Sequence, residues 1–525
     1  MPKKILYSLM AILTGLLLYL GWPPKYLFPF LFVGMVPLFY AHHHMESNNS
    51  KERKYFIWYV YLGLLVWNIL TTWWVGYASV GGAIAMLLAN TALMIIPFSA
   101  FVYTKNVLGE NRALMAFVLY WLAFEYLHLT WEISYPWLTL GNGLAMMPWL
   151  VQWYEYTGIL GGSLWILTIN ILVYKLLLSH SKKDIVQLSL VVLIPSIYSI
   201  VVYNIPEKDA PETEVLVVQP NIDPYNKFAP GEELEQVNSF LLQAEKVITS
   251  KTQLVVLPET AIVEYLNEGD INNQESIILI QKFIAKHPNI EILTGASTYR
   301  FFGLNEKISA TARDAGNGEK YDSYNTALLI SKEGVKQIYH KSKLVPGVEK
   351  MPYPKVLGFL EYFSIDLGGI SGSLGSDEKP VVFNTRHFNL TPGICYESIY
   401  GDHLGKFSQM GSNVICIITN DGWWEDTDGY KQHLNYGRLR SIELRAPTVR
   451  CANTGISCFI DSKGNISHKT KWWQKDAFLC QVKPSTKLTF YAKSGNALGR
   501  MAAFVGVFFL LSVVVKNKVN KKTNH

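Results

Sequence analysis

Charge is scarce in this chain. Only 17% of its 525 residues are Asp, Glu, Lys or Arg, against 50% hydrophobic residues. That balance excludes a disordered or highly solvated polypeptide. Cysteine is scarcer still: there are five, an odd number with no CxxC pair. A closed disulfide framework or a CxxC metal knuckle is therefore not expected. Cys416, Cys451, Cys458 and Cys480 lie in apolar, strand-like stretches and read as core, which leaves Cys395 to explain. No internal repeat or low-complexity segment is present. The adjacent His42, His43 and His44 have no partner cluster and read as a solvated interfacial loop rather than a metal site.

Long apolar runs, by contrast, are abundant. Eight stand out, near residues 5–22, 26–41, 56–75, 81–104, 113–131, 154–174, 185–202 and 498–515. Most approach the roughly 20 residues that a helix needs to cross a bilayer core, and helix is the spanning structure that satisfies its own backbone. Trp and Tyr gather at the ends of the runs, as at a membrane interface. The first run follows Lys3 and Lys4, as in a signal peptide. It ends in Gly-Trp-Pro-Pro, not in a small-residue cleavage site, so a retained anchor is expected. The second run is the shortest.

Positive charge falls on alternate loops. Lys3, Lys4, Lys51, Arg53, Lys54, Lys105, Arg112, Lys175, Lys182, Lys183, Lys516, Lys518, Lys521 and Lys522 lie on one side, and only Lys25 lies in the short loops of the other. The positive-inside rule then puts both termini in the cytoplasm and the long segment after the seventh run outside. These loops account for the net charge of +6, so nucleic acid is not an expected partner. The expected organisation is a transmembrane domain of seven helices over 1–205, an exported domain over 212–485 and a last transmembrane helix over 498–515.

Within 212–485 the texture changes to short β-branched runs alternating with polar helical stretches, the pattern of a layered α/β domain. Several strands end in reactive side chains. "QLVVLPET" ends in Glu259, "GVKQIYHKSKL" presents Lys341, "LTPGICYE" delivers Cys395, and "VICIITND" ends in Asn420 and Asp421. Such strand ends are where α/β enzymes build sites. A buried structural thiol needs neither Gly393 beside it nor the polar turn that follows Cys395. A nucleophilic one does better with a base and a cation at hand. Glu259 can take the thiol proton. Lys341 can stabilise the thiolate and the oxyanion formed when it attacks a carbonyl, with the Tyr396 N–H as a second donor. This chemistry calls for no metal and no cofactor.

Glu259, Lys341 and Cys395 follow in that order at intervals of 82 and 54 residues. "LPET", "HKSKLVPGVE" and "GICYE" resemble the Glu–Lys–Cys signatures of the nitrilase superfamily. With the eight-run frame, "VVQPNI", "YNTALL", "SYPWLTLGN" and "NDGWW…QHLNYGRLRSIELRAPTVRCANTGIS", the chain resembles the apolipoprotein N-acyltransferases over nearly its whole length. The resemblance implies a polytopic α-helical membrane domain of about eight spans and an exported α/β domain folded as a nitrilase-like αββα sandwich. It also implies Glu259 as base, Lys341 as oxyanion partner, Cys395 as nucleophile, and Glu349, Tyr396 and Glu397 as supporting residues; Glu397 is expected to orient Lys341 or tune its charge. Gly347-Val348-Glu349 replaces the Phe-Gly-Glu of many members but keeps the glutamate. Glu425 is not assigned, because "GWWED" lacks the Gly that commonly follows the aromatics.

The implied reaction moves an acyl chain from a membrane phospholipid to the N-terminal α-amine of a diacylated apolipoprotein, through a thioester at Cys395. The implied setting is the bacterial inner membrane, with the catalytic domain on the periplasmic side and the protein a monomer. The apolar stretch "MPYPKVLGFLEYF" reads as a lipid-touching lid carrying Leu357, Phe359, Leu360, Tyr362 and Phe363. Two competing readings are a membrane-tethered amidase using the same triad and a non-enzymatic binding scaffold.

Overall fold

The structure, a computed structural model, describes residues 2–206, 211–316, 318–353 and 373–523. The expected lid residues Leu357, Phe359, Leu360, Tyr362 and Phe363 lie outside the described residues. The chain divides into two compact units, one made of Met1–Gly76, Val80–Ile205 and Ser494–His525, the other of Tyr77–Ser79 and Pro206–Lys493.

The first unit is helical. By length and composition, six of its described helices can cross a membrane: Lys3–Gly21, Lys51–Thr72, Val80–Leu108, Ile159–Ser179, Lys182–Asn204 and Ala497–Lys522. One expected span folds otherwise. The 26–41 run splits into a 3-10 turn, Phe28–Phe32, and a helix, Val36–Ser47, of 12 residues. At about 1.5 Å per residue such a helix is too short for a bilayer core of about 30 Å. The 113–131 run lies in the 19-residue helix Glu110–His128, which is not among the six. Its buried Glu125 accepts from Trp121 Nε1 at 2.9 Å and from the Leu140 N–H at 2.8 Å. His42 is not solvated. It is buried on the Val36–Ser47 helix, 3.3 Å from Lys105 Nζ.

The second unit holds two sheets. In chain order its strands are β1 (Thr213–Gln219), β2 (Thr252–Val256), β3 (Ile262–Asn267), β4 (Glu291–Phe301), β5 (Arg313–Asp314), β6 (Lys320–Ser331), β7 (Gly334–His340), β8 (Phe383–Asn384), β9 (Asn389–Ile394), β10 (Val414–Thr419), β11 (Thr448–Ala452), β12 (Cys458–Ile460), β13 (Ile466–Ser467) and β14 (Asp476–Val482). One sheet runs β14-β1-β2-β4-β6-β5, with β3 on β4 and β7 on β6; the other runs β13-β12-β11-β10-β9-β8.

Period-2 alternation sorts the side chains into layers. Val215, Val217, Leu254 and Val256 of the first sheet pack with Leu390, Ile394, Cys416, Ile418, Val449 and Cys451 of the second. Their neighbours Leu216, Val218 and Val255 face the opposite way, onto helices Glu233–Glu245 and Glu275–Lys286. The far side of the second sheet packs Ile415 and Ile417 on Leu404 and Leu444, and Cys458 and Ile460 on Leu434. The layers are therefore helix, sheet, sheet, helix, the expected sandwich. Cys416, Cys451, Cys458 and Cys480 are free thiols buried in it.

Candidate active site

Glu259 follows β2 across Leu257 and Pro258. The Leu257 N–H donates to Leu293 O, and the Gly295 N–H donates to Pro258 O, so the turn lies directly on β4. A Cβ on Gly295 would sit 2.4 Å from Thr260 N and 2.6 Å from Glu259 Cα. No other residue permits that approach, and Thr260 itself adopts φ +47°. Buried Lys227 braces the same turn, donating to Glu259 O at 3.0 Å and Thr260 Oγ1 at 2.7 Å. Burial pulls its ammonium pKa down to about 7, against the opposing charge of Glu259.

Lys341 follows β7, where its N–H donates to Asn325 O on the neighbouring β6. Its side chain is 1% exposed, and its Nζ lies 3.1 Å from Glu259 Oε1 and 2.8 Å from Glu349 Oε1. Asn325 Nδ2 donates to the same two oxygens at 2.8 and 3.1 Å. The remaining carboxylate oxygens are held by backbone: Glu259 Oε2 accepts from Asn420 N–H at 3.0 Å and Glu349 Oε2 from Val345 N–H at 2.8 Å. Burial works against the Lys341 charge, but Glu259 and Glu349 outweigh it and hold the ammonium above the usual lysine range.

Cys395 comes directly after β9 and opens a 3-10 turn, Cys395–Ile399. Its φ is +48°, the left-handed region that a β-carbon disfavours. Burial first, then the Glu259 carboxylate, push its thiol up, with Lys341 opposing. The resting group is thus a thiol next to a carboxylate and an ammonium, and ionising it requires proton transfer. Gly393, expected to matter beside it, is not demanded by space: a Cβ there meets Leu404 Cδ2 at an ordinary 3.5 Å.

Residues 215–487 match the family model of the carbon-nitrogen hydrolases, and residues 14–172 match that of the apolipoprotein N-acyltransferase N-terminal domain. The apolipoprotein N-acyltransferase of Chlorobaculum tepidum is 31% identical over 531 residues, covering 97% of this chain and 96% of its own. This chain belongs to the apolipoprotein N-acyltransferase family. Another apolipoprotein N-acyltransferase, from Geobacter metallireducens, is 27% identical over 535 residues, covering 97% of this chain and 95% of its own.

In this member of the apolipoprotein N-acyltransferases, buried Glu259 and Lys341 form one ion cluster with half-buried Glu349, and the charges of Glu259 and Lys341 act on the Cys395 thiol. Glu397 does something other than orient the Lys341 ammonium. Fully buried, it accepts at Oε1 from Tyr339 OH (2.7 Å) and from the N–H groups of Ser342 (2.7 Å) and Lys343 (3.2 Å), and at Oε2 from Ile394 N–H (2.9 Å). It ties the backbone after Lys341 to the backbone before Cys395. Tyr396 is buried, its ring edge-on to Tyr400. Sequence reasoning missed Lys227 and the roles of Asn325 and His433, although "YNTALL" and "QHLNYG" carry the last two. Among the described residues one grouping brings donor atoms close enough for a metal ion, Cys395 with Asp421 and His433, within 4.8 Å of one another. Asp421 is already engaged by Thr419, His433 and Arg450.

Proposed function

We propose that this enzyme transfers a fatty acyl chain from a membrane phospholipid to the α-amine of an S-diacylglyceryl-cysteine at a lipoprotein N-terminus, through an acyl-thioester on Cys395. The observation that carries the reading is the ion cluster of buried Glu259 and Lys341 with half-buried Glu349, whose charges act on the left-handed Cys395, in a chain related end to end to apolipoprotein N-acyltransferases.

In the first half, Glu259 takes the Cys395 proton as sulfur attacks the ester carbonyl. Lys341 and the Tyr396 N–H offset the oxyanion. The C–S bond forms, the ester C–O bond breaks, and the leaving alkoxide recovers the proton from Glu259 as lysophospholipid. In the second half the acceptor amine attacks the thioester carbonyl. The acceptor reacts as the neutral amine, which its pKa of about 8 makes accessible at neutral pH, and Glu259 takes the one proton that the nitrogen sheds on becoming an amide. The C–N bond forms, the C–S bond breaks, and the thiolate regains a proton from Glu259. Ester and amine become amide and alcohol. Glu349 holds Lys341, and Glu397 holds the backbone that carries Lys341 and Cys395.

Both substrates are lipids, which accounts for a carbon-nitrogen hydrolase domain joined to membrane helices. The charge asymmetry of the loops supports termini in the cytoplasm and a catalytic domain on the periplasmic side of the inner membrane, with 1–205 and 498–515 as the membrane parts of a monomer and 212–485 as its catalytic domain. The test is to incubate the purified protein with phospholipid vesicles and a synthetic diacylated lipopeptide and weigh all products. N-acylated peptide and lysophospholipid in equal amounts are expected. Free fatty acid, or ammonia from small amides, with unmodified peptide would instead identify a tethered amidase.

A further inference from the structure

Behind Cys395 lies a second buried polar cluster that the acyl-transfer chemistry leaves without a task. His433, Asp421 and Arg450 are all fully buried. His433 sits on helix Asp428–Leu444, Asp421 follows β10, and Arg450 lies in β11. His433 Nδ1 lies 2.9 Å from Asp421 Oδ1 and 3.2 Å from Arg450 Nη2, Thr419 Oγ1–H donates to Asp421 Oδ1 at 2.7 Å, and Arg450 donates to Oδ2. The other ring nitrogen of His433 lies 2.9 Å from Ser398 Oγ and 3.1 Å from the backbone carbonyl oxygen of Cys395. Ser398 Oγ–H donates to that carbonyl at 2.7 Å.

Three ionisable side chains taken fully out of water are expensive unless fixed in place. Here Asp421 and Arg450 meet His433, and His433 reaches on to the backbone carbonyl of Cys395, the residue with φ +48°. A left-handed conformation is strained for a non-glycine residue and persists where the surroundings over-determine it. The peptide unit is planar, so the Cys395 carbonyl and the Tyr396 N–H lie in one plane and point opposite ways. Holding the carbonyl sets the direction of the N–H.

We propose that His433, held by Asp421 and Arg450, is a positioning residue that locks the peptide plane between Cys395 and Tyr396 and so fixes the aim of the thiol and of the oxyanion-facing N–H. This rests on Cys395 being the nucleophile. His433 has a ring nitrogen within 4.8 Å of the Cys395 sulfur, but the contact assigned to it here is with the backbone carbonyl.

Two reactions of the same sulfur separate this role from general folding. Attack on an ester demands exact geometry and builds an oxyanion. Alkylation by iodoacetamide builds none and tolerates a tilted thiol. The variants are His433→Asn, whose amide reaches Asp421 but falls short of the Cys395 carbonyl, and His433→Gln, whose amide reaches that carbonyl. Full-length protein in detergent is mixed with phosphatidylethanolamine vesicles, and acyl-enzyme formation is timed by intact mass. Alkylation and melting temperature are measured in parallel. His433→Asn should acylate about 10²-fold more slowly, the scale of a misplaced reacting group. It should alkylate at the wild-type rate, and His433→Gln should recover part of the loss. A parallel fall in acylation, alkylation and melting temperature would make His433 merely structural and overturn the proposal. So would unchanged acylation in His433→Asn while wild type acylates normally. If wild type takes no acyl group at Cys395, the nucleophile assignment fails and this inference falls with it.

Discussion

Replacing Lys341 with methionine removes one positive charge from a site holding two carboxylates and keeps most of the side-chain volume. Lys341 Nζ lies 3.1 Å from Glu259 and 2.8 Å from Glu349. Without it, the two carboxylates share only Asn325 Nδ2, and their repulsion forces one of them to bind a proton. Protonating an ordinary carboxylate at pH 7 costs about 3–4 kcal/mol. That agrees with the roughly 3–5 kcal/mol lost when one partner of a buried ion pair is removed. The cost shrinks by about 1.4 kcal/mol for each unit that the pH falls. The wild-type reference stays flat with respect to this lysine. Its pKa is raised in the folded state, so its contribution is fully present below the ordinary lysine range and is lost only at higher pH. Melting of full-length protein in detergent, followed by tryptophan fluorescence from pH 5 to 8, should therefore show a wide gap between wild type and Lys341→Met at pH 8 that narrows steadily toward pH 5. A gap independent of pH would refute the ion-cluster reasoning. Acylation by the variant should fall about 10²–10³-fold at every pH, the usual effect of losing one oxyanion donor.

Gly295→Ala places a Cβ against the backbone of Glu259 and Thr260, so it should destabilise the protein by about 1–3 kcal/mol and slow single-turnover acylation; normal turnover would mean that the Glu259 turn tolerates displacement. His340 is held charged between Asp377 and Glu268, which outweigh its burial and raise its pKa from 6.5 to about 9. Its stabilisation is full below pH 6.5 and disappears as the pH rises through about 9. Accordingly His340→Gln should lower the melting temperature more at pH 6 than at pH 10, and equal losses at both would contradict this. A reporter active only outside the cytoplasm should work when fused after Asn221 and fail after Lys183, and the reverse pattern would overturn the proposed orientation.

The reactive residues were legible because each ends a strand, where side chains gather at a sheet edge: Glu259 after β2, Lys341 after β7, Cys395 after β9. Their meeting across 82 positions, Glu259 with Lys341, follows from the first sheet, in which β4 and β6 lie between β2 and β7. What escaped sequence reasoning was set by tertiary contacts that no spacing rule encodes. Asn325 reaches Glu259 from 66 residues away and His433 reaches the Cys395 carbonyl from 38. Lys227 reads as an ordinary loop lysine until its burial is seen. Glu397 was expected at the Lys341 side chain, but the turn after Cys395 aims it at backbone N–H groups. In the membrane unit, hydropathy over 26–41 ignored Pro29 and Pro37, each of which lies in the first turn of a separate short helix. His42 is buried where the sequence suggests solvent because Lys105, 63 residues on, meets it through the fold.

The proposed acyl transfer turns on a covalent intermediate at one sulfur. Purified protein should be incubated with phospholipid vesicles and no acceptor, then weighed intact and mapped by peptide mass. One added acyl chain on Cys395 is expected, absent in Cys395→Ala and discharged when a diacylated lipopeptide is supplied. N-acylated product formed only when both lipids are present, with no thioester on Cys395 while the acceptor is withheld, would contradict it.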